Sequence, residues 1–173
     1  MHSIAWWPTL IALVIATVSD LRSRRIPNWL IVPFLLGGLV TSTVTRGWSG
    51  LGQSLLGLLL GLVLLGGLYW VGGMGMGDVK LCAAIGAWIG PQQLILALVM
   101  MGFVGGVMAL AWAIRGGFLG ESLSGASDLI FGLPKRGLRP HDELSLGNPA
   151  ARKMPYAPAI AIGTVLSFFA LSK

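Results

Sequence analysis

The sequence predicts an all-α, polytopic membrane protein with six transmembrane helices and both termini outside the cytoplasm. Three observations predict it. Of the 173 residues, 55% are hydrophobic and only 10% charged, against about 25% charged in water-soluble domains, and the mean hydropathy is +0.82. The apolar residues fall into six runs separated by short polar or glycine-rich breaks. Lysine and arginine crowd into alternate breaks, the asymmetry that sets orientation in a bilayer. The whole chain, 1–173, reads as a single membrane-embedded domain.

The first run covers about residues 4–19 and opens with Trp6 and Trp7, a pair suited to the membrane interface. Arginines follow it rather than precede it, and no small-residue cleavage site closes it, so it reads as a short retained helix rather than a signal peptide. Pro27 ends what precedes it, and Asn28 can cap the second helix, about 29–45, with Pro33 a candidate kink. A polar turn, 46–50, leads to the third helix at 51–71. The fourth begins at Asp78 after a glycine cluster and stops at Gly90-Pro91. The fifth spans 92–114, a long loop covers 115–153, and the sixth helix covers 154–171. Val79 to Gly90 makes only about 18 Å of helix, against a hydrocarbon core of about 30 Å. Either this helix continues through Pro91, or the glycine-rich backbone before Asp78 lies at membrane depth, buried in protein or lining a wet cavity. Small residues four apart, Gly57 and Gly61, Gly86 and Gly90, Gly102 and Gly106, predict close helix packing.

Six alternating helices sort the basic residues. Arg22, Arg24, Arg25, Lys80, Arg115, Lys135, Arg136, Arg139, Arg152 and Lys153 share one side; Arg46 and Lys173 hold the other. The crowded side is cytoplasmic by the positive-inside rule, which puts Asp20, Asp78 and the long loop there together. The net charge of +6 does not point to nucleic acid, because the cations form no patch interleaved with aromatics. The single cysteine, Cys82, excludes an internal disulfide and a multi-cysteine metal cluster, and His2 and His141 are isolated. No metal and no cofactor is expected.

Of six acidic residues, Glu121, Asp128, Asp142 and Glu143 lie in the long polar loop and read as solvated charges. Asp20 and Asp78 each abut an apolar run, where a carboxylate is costly without a partner or a task. Asp78 also suits a helix N-cap, and Asp20 a salt bridge to Arg22 or Arg24. As a pair they suit proton transfer: one ionised acid takes a proton from water while the other, protonated, donates to a carbonyl oxygen. Asp20 closes a helix, at the negative end of its dipole, and Asp78 opens one, which assigns the shared proton to Asp20.

Three blocks carry a family resemblance. Gly75-Met76-Gly77-Asp78, within GMGMGDVKL, resembles the GxGD signature of intramembrane aspartic proteases and of type IV prepilin peptidases in particular. Asp20 followed by RSRRIPN resembles the first aspartate motif of those enzymes, and Lys153-Met154-Pro155-Tyr156-Ala157-Pro158-Ala159-Ile160 their final-helix motif. The resemblance implies an endopeptidase that removes the leader from prepilins or pseudopilins at the cytoplasmic face of a prokaryotic inner membrane. It implies Asp20 and Asp78 as the catalytic pair, and Gly75 and Gly77 as points where backbone approaches the substrate. Asn28, Lys80, Lys153 and Pro155 take supporting roles. Larger members carry an added region with paired CxxC motifs and N-methylate the new terminus. This chain starts at a transmembrane helix and has one cysteine, so it resembles the compact enzymes of tight-adherence pilus systems, with peptidase activity alone expected.

Two other readings use the same residues: a proton-coupled transporter or ion pathway through Asp20 and Asp78, and a non-enzymatic pilus assembly factor. Transporters often show inverted repeats, and none is visible. The expected partners are the prepilin leader and its helix, and the bilayer, whose anionic headgroups suit the basic breaks. The sequence leaves open a homo-oligomer, and whether the 115–153 loop covers the site.

Overall fold

The computed structural model describes residues 2–70, 74–116 and 156–170. Among them the chain is all-helical, with four helices: α1 (His2–Ser23), α2 (Asn28–Trp70), α3 (Met76–Gly116) and α4 (Ala157–Ala170). Two of these, α2 and α3, are long and apolar enough to cross a membrane.

At 43 and 41 residues, α2 and α3 would each extend about 60 Å if straight, twice the hydrocarbon thickness. Neither is straight. Gly47 (φ 63°, ψ −147°) interrupts α2 and Gly90 (φ 78°, ψ 173°) interrupts α3, both close to a backbone region that only glycine occupies readily. The chain folds back at each. A side-chain carbon at Gly50 would strike the Ser42 carbonyl, and one at Gly86 would meet Leu94 at 2.8 Å. The described residues therefore hold six helical limbs: 2–23, 28–46, 48–70, 76–89, 91–116 and 157–170. Pro33, a candidate kink, sits inside α2 with no non-helical residue beside it.

The limb 76–89 is the centre of the packing. Every residue from Leu81 to Trp88 is buried, so this limb presents no lipid-facing stripe over that stretch. Small residues let its neighbours come close. Gly57 seats on the Gly86 backbone and Gly61 on that of Ala83, where an added side-chain carbon would stand 2.9 Å away, so the limb 48–70 runs antiparallel to it. On another side Gly37 and Gly38 leave a notch for the Trp88 indole, which would stand 3.1 and 2.9 Å from side-chain carbons there. That indole donates to the Phe34 carbonyl at 2.7 Å and stacks on the Phe34 ring, centroids 5.4 Å apart.

The break at Gly90 leaves a polar debt that the packing settles. Residue 91 is proline, so the Ala87 carbonyl has no helical N–H four residues on. The Ser54 hydroxyl donates to it at 2.5 Å and that of Ser42 at 3.5 Å. In an apolar surround an unpaired carbonyl would cost several kcal/mol, so these two serines are structural.

Of the three glycine pairs, Gly57, Gly61 and Gly86 make the expected close contacts, while Gly90 forms the break. Gly102 and Gly106 do not pack: nothing lies within 4 Å of a side chain added at either. On that limb a side-chain carbon added at Gly105 would stand 3.7 Å from Ala159 Cβ, and one at Gly163 of α4 would strike the Met101 backbone at 2.5 Å. Helix α1 runs antiparallel to α4, with Trp6 edge-on to Phe168 at 4.5 Å near one end and Asp20 bonded to Ala157 near the other.

The exterior is apolar. Trp48 is 86% exposed and Phe103 74%, and the most apolar window of α2 or α3 is only 22% buried. A soluble core helix would be mostly buried, so this surface is one for lipid.

Candidate active site

Four helix ends meet at one end of the bundle: the C-terminus of α1 and the N-termini of α2, α3 and α4. The turn Ser19–Pro27 organises them. Arg24 takes a left-handed conformation (φ 50°) and its N–H closes α1 onto the Asp20 carbonyl at 2.8 Å, a common helix-ending device. The Ser19 hydroxyl donates to the Arg25 carbonyl at 2.8 Å. The Pro27 carbonyl accepts from Leu30 at 3.1 Å and Ile31 at 3.4 Å, opening α2. Asn28 is thus the first residue of α2 rather than its cap. Its Oδ1 instead accepts from Lys80 Nζ at 3.4 Å, tying the start of α2 to the start of α3.

Asp78 is not the N-cap of α3. That place belongs to Gly75, whose carbonyl accepts the N–H groups of Asp78 at 3.1 Å and Val79 at 3.3 Å. Asp78 sits three residues later, and its carboxylate takes the Gly75 N–H in return, half of a capping box. Gly75 suits this closeness: a side-chain carbon there would lie 3.2 Å from Asp78 Oδ2. A side-chain carbon at Gly77 would lie 3.4 Å from Ile26 Cβ. The two glycines therefore serve contacts inside the chain, with the carboxylate and with the α1–α2 turn.

Asp20 is buried, 7% exposed. Arg22, Arg24 and Arg25 are exposed, and the partner of its carboxylate among the described residues is the Ala157 N–H, at 3.1 Å to Oδ2, rather than a guanidinium. Ala157 opens α4, and Pro158 follows it without needing a donor. Asp20 thus closes one helix with its backbone and caps another with its side chain. The assignment of the shared proton to Asp20 rested on two helix ends, the negative end of α1 at Asp20 and the positive end of α3 at Asp78. The Asp20 carboxylate also lies at the α4 N-terminus, a positive end, so the two helix ends no longer distinguish the acids.

The two acids come within electrostatic range of each other, and Asp78 is also within that range of Tyr156 and of Cys82 one turn on. The structure thus brings together Asp20, Asp78, Gly75, Gly77, Asn28 and Lys80 at one bundle end. Lys153, Pro155 and the loop lie outside the described residues. Sequence reasoning missed Tyr156 as a neighbour of Asp78 and the Gly37–Gly38 notch. The signals were the doubled glycine and the place of Tyr156 inside the final-helix block.

Fold and site together define a helical membrane protein whose helix ends converge on a pair of carboxylates. Residues 7–110 match the type IV leader peptidase family, and the chain belongs to that family. It is 37% identical over 117 residues to the prepilin leader peptidase/N-methyltransferase of Aeromonas hydrophila, covering 60% of this chain and 40% of that protein. It is 28% identical over 175 residues to the protein so named in Pectobacterium carotovorum subsp. carotovorum, covering 95% of this chain and 52% of that one. The chain thus spans about half or less of the curated relatives it matches. No solved structure matches it.

Proposed function

We propose that this chain is a multi-pass peptidase of the prokaryotic inner membrane that removes leader peptides from prepilins or pseudopilins, with Asp20 and Asp78 activating water. The observation that carries the reading is the convergence of Asp20 from α1 and Asp78 from α3 at one end of the bundle, in a family named for leader peptidases. The six limbs serve as six transmembrane helices in this reading. The exposed arginines after α1 support, by the positive-inside rule, a topology with the acids at the cytoplasmic face and both termini outside.

The chemistry follows from the pair. One carboxylate takes a proton from water as the oxygen attacks the scissile carbonyl, and the other donates a proton to that carbonyl's oxygen. On collapse the proton goes to the leaving amine and the acids exchange roles. Ala157 N–H holds Asp20, and Gly75 N–H holds Asp78, so each carboxylate is oriented by the backbone of a helix start. Substrate enters as an extended segment whose hydrophobic helix remains in lipid.

The test is co-expression with a prepilin, following its size. Asp20→Asn and Asp78→Asn should each abolish processing, a loss of at least about 10³-fold for groups acting as a unit, with the variant still in the membrane fraction. Cleavage by either variant at an appreciable rate would rule out the two-acid mechanism and leave the transporter and assembly readings standing.

A further inference from the structure

Thr17 lies one helical turn before Asp20 on the same side of α1. Its hydroxyl oxygen is buried and has no hydrogen-bond partner among the described residues. Other helical threonines in the chain behave differently. Thr43 donates to the Leu39 carbonyl at 2.7 Å, Thr45 to Thr41 at 2.7 Å and Thr164 to Ile160 at 2.8 Å. That bond to the carbonyl four residues back is the default for a helical threonine in an apolar setting. Thr17 has the Leu13 carbonyl at that spacing and does not take it. A buried hydroxyl that forgoes its own helix is expensive, and such groups mark sites that bind something polar.

The neighbouring acid shows what that is. Asp20 is held through Oδ2 by the Ala157 N–H, which leaves Oδ1 as its open acceptor among the described residues. The hydroxyl of Thr17 both donates and accepts. Around the pair, Leu13 and Ala16 are buried and apolar, 2% and 1% exposed.

We infer that Thr17 is a positioning residue of the same site: its hydroxyl binds a water that also bonds the free oxygen of Asp20, fixing that oxygen toward the reacting centre. The inference rests on the peptidase reading and adds to it a third side chain, acting through Asp20 rather than on substrate. No bond to substrate is made or broken at Thr17; it sets the direction in which Asp20 presents its oxygen.

The experiment compares Thr17→Val, which keeps the shape and removes the hydroxyl, with Thr17→Ser, which keeps the hydroxyl and removes the methyl. Steady-state prepilin cleavage is measured with the whole 173-residue chain in detergent or lipid. Thr17→Val should lower kcat about tenfold, the scale of one oriented hydrogen bond to a charged group, with KM within about twofold. Thr17→Ser should restore kcat. Wild-type turnover by Thr17→Val would overturn the inference, as would a Thr17→Ser variant that loses as much, because packing by the methyl would then be the cause. Should Thr17→Val fail to insert, Thr17→Ala against Thr17→Ser is read by the same criterion. Asp20→Asn in the same assay separates the two levels. A dead Asp20→Asn with an unimpaired Thr17→Val refutes the role of Thr17 alone, whereas an active Asp20→Asn refutes the peptidase mechanism.

Discussion

At the scale of single residues, Gly75 and Gly77 look alike in the sequence and differ in what they touch. A methyl at Gly75 would stand 3.2 Å from Asp78 Oδ2, a methyl at Gly77 3.4 Å from Ile26 Cβ. The first is closer than ordinary carbon–oxygen packing and presses on a carboxylate that must be aimed; the second is ordinary contact with a side chain that can shift. Gly75→Ala should therefore reduce prepilin cleavage at least about tenfold, since small misplacements of catalytic groups cost that much or more. Gly77→Ala should stay within about threefold, a difference of less than 1 kcal/mol. Initial rates of processing in membranes carrying equal amounts of each variant measure both. Asp20 carries the other lesson of this scale. Its own helix places it at a dipole's negative end, while the Ala157 N–H comes from a helix more than a hundred residues later. No local reading of VSDLRSRR shows that second helix.

At the scale of helices, the stripes of small residues divide by their neighbours. Gly57 lies on the backbone of Gly86, where an added carbon has no room, whereas Gly102 has nothing within 4 Å. Gly57→Ala should cost about 2–3 kcal/mol as an overpacking substitution against backbone. Gly102→Ala should be neutral or stabilising by up to about 1 kcal/mol through helix propensity. Thermal unfolding of the purified variants in detergent distinguishes them; equal melting temperatures would contradict the antiparallel packing of 48–70 on 76–89. The helical character of the six apolar runs was legible in composition, and the breaks at Gly47 and Gly90 in their glycines. Which glycines pack was not, because a spacing of four places residues on one face without saying what that face meets.

At the scale of the whole molecule, the polar and apolar surfaces are reversed relative to a soluble protein. The small polar side chains of Ser54, Thr164 and Ser167 are buried, while tryptophans at 29, 48 and 70 are at least 69% exposed. The orientation in the bilayer is testable with little engineering. Cys82 is 1% exposed, so single cysteines can be scanned over its quiet background. Ser49→Cys, in the exposed turn after Gly47, should react with a membrane-impermeant maleimide on intact cells. Ser23→Cys, beside the acids, should react only after permeabilisation. The reverse pattern would invert the proposed topology and place the acids outside.

By itself the sequence determined what each segment must do with water. Composition, the spacing of apolar runs and the placement of lysine and arginine are local or additive properties, and solvation acts on them residue by residue. It also marked Asp20 and Asp78, because a carboxylate beside a membrane-grade run stands out without any coordinates. Only the tertiary structure decided how those acids are held. Gly75, not Asp78, starts α3; Asp20 caps α4; Ser54 bonds the carbonyl freed by Pro91; and Thr17 keeps its hydroxyl from its own helix. Each of these depends on which polar group finds a partner across the fold. In an apolar surround that pairing is set by the meeting of chain segments far apart in sequence, and pattern within one segment does not contain it.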